Sequence, residues 1–138
     1  MNIPRIMIAA AGSGSGKTLL SCALMMLFSQ EGKSVSAIKC GPDYIDPMFH
    51  SRVIGTKSRN LDTFFTDGDR TRYLLAKNAG DCEIAVMEGV MGYYDGLGGV
   101  SDRDSTWDVA CATNTPVILV VRPKGASLTI AAQVQGML

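Results

Sequence analysis

Apolar residues along this chain fall into short uninterrupted runs, separated by stretches that are rich in helix-forming residues. A continuous apolar run bounded by glycine or serine is typical of a strand buried on both faces of a parallel sheet. We therefore predict strands at four places: residues 5–10, 35–39, 83–88 and 116–121.

Helical patterns alternate with these strands, at residues 19–30, 67–78, 105–113 and from 127 onward. Gly32 and Gly80 are placed to end the first two helices, and Asp67 is placed to cap the second. The last pattern is still helical at Leu138, which favours a fragment of a longer protein. Strands that alternate with helices predict an α/β fold, with a mostly parallel sheet and helices on both faces.

Two long connections interrupt the alternation of strands and helices. Residues 40–62 contain the pairs Gly41-Pro42 and Asp46-Pro47. Proline fixes its own φ and restricts the residue before it, so we predict an irregular loop without a helix or strand here. The second connection, residues 89–99, is rich in glycine. Loops of this length inside a compact domain are usually functional.

Composition narrows the class of protein. The 138 residues suit one domain, and 46% hydrophobic with 19% charged residues is typical of a folded chain. A formal net charge of zero gives no broad basic face for nucleic acid or membrane lipid, and no apolar run is long enough to cross a membrane. The four cysteines lack C-x-x-C spacing, which disfavours a zinc site or redox pair. An even count permits two disulfides, but the N-terminus does not fit a signal peptide, so we predict reduced thiols and a cytoplasmic location.

A glycine- and serine-rich segment follows the first predicted strand. Residues 11–18 fit the phosphate-loop pattern G-x-x-x-x-G-K-[ST], except that Ala11 replaces the first glycine. Lys17 is predicted to contact the β- and γ-phosphates of a nucleotide, and Thr18 to bind Mg²⁺. No Asn/Thr-Lys-x-Asp segment follows the strand ending at Val121, which favours ATP over GTP. The predicted nucleotide-binding residues are Gly12, Ser13, Gly14, Ser15, Gly16, Lys17 and Thr18.

Acidic residues follow two of the predicted strands. Asp43 and Asp46 come after the strand ending at Lys39, while Glu88 ends a later strand and Asp95 lies in the next loop. The carboxyl ends of parallel strands share one edge, where ligands bind in such sheets. We therefore expect the four carboxylates and Lys39 to meet the phosphate loop.

The acids have more than one interpretation. Four carboxylates would repel a triphosphate unless a cation lies between them, so we predict that Thr18, Asp46 and Glu88 hold Mg²⁺. Asp43 and Asp46 are equally well explained as turn formers beside proline. Glu88 has an alternative role in positioning a nucleophile.

Several further residues have candidate roles. His50, the only histidine, is expected in an exposed loop, and Trp107 is expected to be a packing residue. Three tyrosines lie in the two long loops and are candidates for an apolar substrate face: Tyr44, Tyr93 and Tyr94. A small basic cluster is either solvated or in contact with an anionic substrate: Arg52, Lys57 and Arg59.

Three segments resemble the cobyrinic acid a,c-diamide synthase family: KCGPDYIDP at residues 39–47, NLD at 60–62 and EGVMGYYDG at 88–96. The resemblance spans essentially the whole chain and implies the ATP-binding synthetase domain, with a dethiobiotin-synthetase-like P-loop NTPase fold. It implies ATP- and Mg²⁺-dependent amidation of the a and c side-chain carboxylates of cobyrinate, a tetrapyrrole of cobalamin biosynthesis, through an acyl phosphate. Catalytic roles then fall to Lys17, Lys39, Asp46, Glu88 and Asp95, and substrate contacts to Asp43, Tyr44, Asp46 and Tyr94.

The resemblance also implies parts that are absent from these 138 residues. Family members take ammonia from glutamine through a C-terminal glutaminase domain, so we expect that domain in cis and expect residues 1–138 to form the N-terminal part of the synthetase domain. A homodimer is one expected assembly. Two alternatives stay open: action on hydrogenobyrinate or nickel-sirohydrochlorin, and a P-loop switch or partitioning ATPase. The absence of an early lysine in the loop counts against the second.

Overall fold

A five-stranded parallel sheet forms the centre of the molecule. The computed structural model describes residues 3–138. Within them the strands lie in the order β3-β2-β4-β1-β5, and every neighbouring pair is parallel. Their bounds are β1 Arg5–Ala10, β2 Val35–Cys40, β3 Lys57–Leu61, β4 Ile84–Glu88 and β5 Val117–Val120. The predicted α/β class is confirmed.

Helices connect consecutive strands. Their bounds are α1 Lys17–Gln30, α2 Ile45–Phe49, α3 Gly68–Ala79, α4 Thr106–Thr113 and α5 Thr129–Gln135. A π-helical turn, His50–Ile54, continues α2, and a 3₁₀ turn covers Leu97–Gly99. The predicted cap of α3 is present, because the Asp67 carboxylate accepts a hydrogen bond from the backbone N–H of Arg70 at 2.8 Å.

Each face of the sheet carries its own apolar core. On one face α3 and α4 pack Leu75 and Val109 against Met7 and Met87. On the other face α1 packs Met25 against Ile8 and the rest of a second cluster. The central strands are apolar on both sides because both faces are covered. Helices therefore lie on both faces, as predicted.

The prediction that residues 40–62 form an irregular loop is wrong. They contain α2, the π-helical turn and β3. Pro47 fits in α2 because it lies in the first turn, where no backbone N–H is needed. Strand β3 has a polar sequence, and only Ser58 and Leu61 of it are buried. An edge strand of this kind shows no apolar run for the sequence to reveal.

The last helix is also shorter than predicted. It ends at Gln135, and Gly136 follows it, so the expectation of a helix continuing through Leu138 is wrong. None of the helices described between residues 3 and 138 has the length and hydropathy needed to cross a membrane.

Candidate functional site

The loop between β1 and α1 has the backbone that phosphate binding requires. Gly14 and Gly16 have φ of 72° and 98°, a region that favours glycine strongly. Ala11 is not among the residues with positive φ, so alanine is compatible with its conformation. The Ser15 hydroxyl donates to the Gly12 carbonyl at 2.8 Å and closes the loop. The loop therefore curves ahead of the N-terminus of α1, where backbone N–H groups favour anions.

Lys17 lies across this loop rather than extending into solvent. The residue is 8% exposed, and its ammonium group donates to the carbonyls of Gly12 at 3.1 Å and Met91 at 2.5 Å. Burial, followed by the positive charge of Lys39, lowers the pKa of Lys17. Met91 has a φ of 47°, which is unusual for a residue with a side chain and is typical of functional sites. The second loop thus supplies a carbonyl to the predicted phosphate-binding lysine.

Strand register brings Lys39 and Glu88 together. They are direct partners across β2 and β4, and the Lys39 ammonium lies 2.9 Å from Glu88 Oε1. The same ammonium lies 2.7 Å from Asp46 Oδ2 and 3.9 Å from Asp43 Oδ2. Burial alone would lower the pKa of Lys39, but the contacts with Asp46 and Glu88 outweigh it and raise the pKa. Lys39 therefore stays charged at the centre of three carboxylates.

Glu88 is the most buried acid of the cluster, with 0% exposure. Its Oε1 accepts a 2.5 Å hydrogen bond from the Thr18 hydroxyl as well as the contact from Lys39. Burial opposes ionisation, but interactions with His50, Thr18 and Lys39 outweigh it and lower the pKa of Glu88 to about 2. Glu88 thus connects the phosphate loop to the acidic cluster as a carboxylate.

Asp43 and Asp46 differ in what their side chains do. Asp43 Oδ1 accepts from the backbone N–H of Ile45 at 2.9 Å, so the predicted turn-forming role is present beside its weak contact with Lys39. Asp46 instead directs its carboxylate at Lys39. Burial and the neighbouring charge of Glu88 raise the pKa of Asp46 even though Lys39 opposes the shift.

The expectation that His50 is exposed is wrong, because this residue is fully buried. Its Nε2 lies 3.3 Å from Glu88 Oε2, and its Nδ1 lies 3.4 Å from the Ser58 hydroxyl on β3. Its burial was not predicted, because the π-helical turn that contains His50 and the strand β3 beside it were both missed.

The remaining predicted residues differ in their exposure and contacts. Tyr44 is 71% exposed near Lys39, and Asp95 accepts from the backbone N–H of Gly92 at 2.9 Å. Tyr94 lies elsewhere: its ring packs against Tyr93 and Trp107, and its hydroxyl donates to the Met137 carbonyl at 2.9 Å. The described contacts of Tyr94 are thus with Tyr93, Trp107 and Met137, and none is with the acidic cluster. The predicted basic cluster is exposed at all three positions: Arg52, Lys57 and Arg59.

A cavity of about 300 Å³ opens beside the loops that follow β2, β3 and β4, and its charged lining residues are Asp62 and Asp104. Met91, whose carbonyl binds Lys17, lines it together with the Gly41-Pro42 pair that follows β2. Phe64 and Phe65 form its aromatic rim, with ring centroids 5.0 Å apart. The aromatic rim suits the apolar part of a bound molecule.

Three contacts in this region were not predicted from the sequence: those of His50, of the Met91 carbonyl and of Arg122. The Arg122 guanidinium donates to the carbonyl of Gly14 at 3.0 Å, after β5. Met91 and Arg122 act on backbone carbonyls, which carry no sequence signature. His50 had one weak signal, as the single histidine of the chain.

The residues present suit a magnesium nucleotide. Between residues 3 and 138 no group of three or more His, Cys, Asp or Glu side chains is arranged to hold a metal alone. Magnesium bound with a nucleotide needs few protein ligands, because phosphates and water supply the rest. The hydroxyl of Thr18 touches Glu88, and Glu88 Oε2 is a buried carboxylate oxygen without a hydrogen bond. Hard oxygen donors therefore lie where the loop would bring the phosphates.

A glycine-rich loop, its lysine and an acidic cluster at the carboxyl edge of a parallel sheet define a P-loop nucleotide-binding domain. Residues 6–131 match the model of the CobQ/CobB/MinD/ParA nucleotide binding domain. The chain belongs to this family.

Curated relatives support the resemblance to the diamide synthases. The cobyrinate a,c-diamide synthase of Priestia megaterium is 41% identical over 136 residues, covering 99% of this chain and 30% of the relative. The hydrogenobyrinate a,c-diamide synthase of Streptomyces coelicolor is 44% identical over 134 residues, covering 97% and 28%. The chain thus spans about 30% of the length of the relatives it matches.

A solved structure supports the fold. The hydrogenase maturation factor HypB from Archaeoglobus fulgidus superposes with a TM-score of 0.51, covering 98% of this chain and 90% of that one. Only 16% of the residues are identical, so the likeness concerns the fold alone.

Proposed function

We propose that this domain uses ATP to activate side-chain carboxylates of a tetrapyrrole for amidation. The observation that carries the proposal is the contact between the two halves of the site: Thr18 of the phosphate loop binds Glu88, and Glu88 binds Lys39. The relatives' names supply the substrate class, cobyrinate or hydrogenobyrinate.

The chemistry requires two anions to meet. An oxygen of the substrate carboxylate attacks the γ-phosphorus of ATP, which forms an acyl phosphate and releases ADP. Ammonia then attacks the acyl carbon, giving the amide and inorganic phosphate, with loss of a proton. We assign phosphate binding to Lys17, which lies across the phosphate loop, and attraction of the substrate carboxylate to Lys39, whose ammonium group lies 2.7 Å from Asp46 Oδ2 at the same edge of the sheet.

Magnesium, when bound, would neutralise charge on the transferring phosphoryl group. Thr18, Asp46 and Glu88 are the residues we propose to hold it directly or through water. The two lysines Lys17 and Lys39 face four carboxylates, from Asp43, Asp46, Glu88 and Asp95, so the cluster has a deficit of positive charge. A divalent cation would offset that deficit.

The source of ammonia lies outside the described residues. We propose a C-terminal glutaminase domain in cis, because the relatives are about three times as long as this chain. The cysteines are unpaired in the structure, which suits the proposed location in the reducing cytoplasm. The homodimer expected from the sequence stays a prediction, to be tested by sedimentation.

Calorimetry tests the nucleotide site first. The chain should bind ATP with Mg²⁺, and Lys17→Ala should abolish binding while leaving the circular dichroism spectrum unchanged. Amidation is then measured on the full-length protein that carries this domain, with cobyrinate and with glutamine or ammonia. Failure of the folded, full-length protein to consume ATP when cobyrinate is added would contradict the proposal.

A second candidate substrate is hydrogenobyrinate, which the name of the Streptomyces relative favours. A panel of cobyrinate, hydrogenobyrinate and nickel-sirohydrochlorin separates these possibilities through their kcat/KM values. Nucleotide-dependent dimerisation without turnover on any of them would favour the switch or partitioning ATPase instead.

A further inference from the structure

His50 is held rigidly at the back of the site, opposite the phosphate loop. It is 0% exposed, and its backbone carbonyl accepts from both the N–H and the hydroxyl of Thr56, at 3.1 and 3.2 Å. On its ring, Nδ1 lies 3.4 Å from the Ser58 hydroxyl, which is itself buried in β3. These contacts fix the direction in which the opposite ring nitrogen, Nε2, points.

That nitrogen faces the one carboxylate oxygen of Glu88 that lacks a hydrogen bond. Oε1 is occupied by Thr18 and Lys39, whereas Oε2 is buried without a hydrogen bond, as is Nε2 of His50. The two atoms lie 3.3 Å apart. Leaving a buried carboxylate oxygen without a donor is unfavourable. A small rotation of either side chain would bring the pair into ordinary hydrogen-bond geometry.

Apolar packing alone does not explain why an imidazole is buried at position 50. The ring lies against Ser58 of β3 and Glu88 of β4, and Ile54 of the same turn packs against an apolar cluster. An apolar side chain would satisfy that packing without an unpartnered nitrogen. Burying a polar ring is explained if the ring supplies a donor to a neighbouring acceptor.

We propose that His50 is a positioning residue for Glu88. Its Nε2–H donates to Oε2, while Nδ1 accepts from Ser58, and this fixes the carboxylate with Oε1 facing Thr18 and Lys39. His50 thereby holds the carboxylate of a proposed magnesium ligand in one orientation. The inference rests on the proposed function, because His50 acts through Glu88, which is one of the proposed magnesium ligands.

Two variants of His50 separate hydrogen bonding from packing. His50→Gln keeps an N–H donor near the position of Nε2, and His50→Leu fills the space without a donor. Loss of a residue that orients a metal ligand typically weakens metal affinity or activity by about 10–100-fold. We therefore expect His50→Leu to raise the Mg²⁺ concentration needed for half-maximal ATP binding by at least about tenfold. His50→Gln should stay within about threefold of the wild type.

A core variant on the opposite face controls for lost stability. Leu75 is fully buried away from the site, so Leu75→Ala should lower the melting temperature and leave the Mg²⁺ midpoint unchanged. On the full-length protein, His50→Leu should lower kcat for amidation more than it raises KM for ATP measured at saturating Mg²⁺.

The outcomes separate this inference from the proposed function. If the wild type binds Mg²⁺-ATP and folded His50→Leu has the same Mg²⁺ midpoint, His50 does not position Glu88. Equal losses in His50→Leu and His50→Gln would also overturn the inference, because the donor would then be irrelevant. If the wild type itself shows no Mg²⁺-dependent ATP binding, the proposed function fails and the inference fails with it.

Discussion

At the scale of single residues, the site is a balance of buried charges. Lys39 is 4% exposed and Glu88 is fully buried, and each would be strongly unfavourable there alone. Their strand register forces them into contact, and Asp46 and Thr18 complete their hydrogen bonds. A buried ion pair is weak evidence for stability, but breaking one by removing a single partner is costly. The charges therefore depend on one another.

Removing Lys39 should expose this dependence. Lys39→Met leaves Glu88 and Asp46 without their cation, so we expect the free energy of unfolding to fall by about 3–5 kcal/mol in urea titrations. The matched control is Lys33→Met, whose ion pair with Glu31 is exposed at 3.5 Å and is worth at most about 1 kcal/mol. The double variant Lys39→Met/Glu88→Gln should recover part of the loss. Equal effects of the two lysine variants would show that the buried cluster is not coupled.

The low pKa of Glu88 predicts a dependence of stability on pH. Its folded value of about 2 lies below the ordinary value of 4.5, so ionised Glu88 favours the folded state at neutral pH. That contribution is present above pH 4.5 and is lost as the pH falls towards 2, and it amounts to a few kcal/mol at about 1.4 kcal/mol for each pKa unit.

Glutamine at position 88 gives the comparison that isolates this effect. The difference in free energy of unfolding between the wild type and Glu88→Gln should shrink steadily between about pH 5 and about pH 2.5, the range set by the two pKa values. The reason is that protonated glutamate resembles glutamine. Urea titrations across this range measure it. A difference that stays constant would mean that Glu88 is not held ionised by its neighbours.

At the scale of elements, the sequence predicted those whose pattern is local. The four apolar strands and the α3 cap at Asp67 were found because burial on both faces and side-chain capping leave clear signals. Strand β3 was missed because it is a polar edge strand, held by backbone pairing with β2 and by Asn60 donating to the Gly41 carbonyl at 2.8 Å. Those interactions depend on the partner strand and not on the sequence of β3 itself.

The same distinction explains what could be predicted of the site. Lys17, Lys39, Asp46 and Glu88 were found together because strand ends of a parallel sheet converge at one edge. His50 was wrongly predicted to be exposed, because its burial depends on β3, which the sequence did not reveal. The packing of Tyr94 against Trp107 and Met137 depends on the path of its loop, which no local pattern predicts.

The Asp67 cap gives a test at this scale. Asp67→Ala removes the acceptor for the Arg70 backbone N–H, so we expect a loss of about 1 kcal/mol in the free energy of unfolding. Asp81→Ala is the control, because Asp81 is also an exposed aspartate but makes no described side-chain contact. Chemical denaturation measures both. If Asp67→Ala is as stable as Asp81→Ala, the side-chain cap does not stabilise α3.

At the scale of the whole molecule, burial is distributed unevenly across the sheet. All six residues of β2 are buried, and the last four residues of both β1 and β4 are buried as well. Strand β5 at the edge has no fully buried residue, and neither has α5. The phosphate loop and the acidic cluster both lie at the ends of the well-buried strands. The site is therefore built on the part of the molecule with the most extensive core.

Amide hydrogen exchange should follow this gradient. Local opening needs little free energy where few apolar contacts are broken, and approaches the global value in a well-packed core. We expect amides in α5 to exchange at least about 100-fold faster than those in β4, a difference of about 2.7 kcal/mol in opening free energy. Helix α3, which buries Thr71, Leu75 and Ala79, is the control for helical structure as such and should be much better protected than α5. Mass spectrometry of peptic fragments gives the comparison. Protection of α5 equal to that of β4 would mean that the stability of α5 arises from interactions other than burial. The strands that carry the site would then not be more stable than the edge of the molecule.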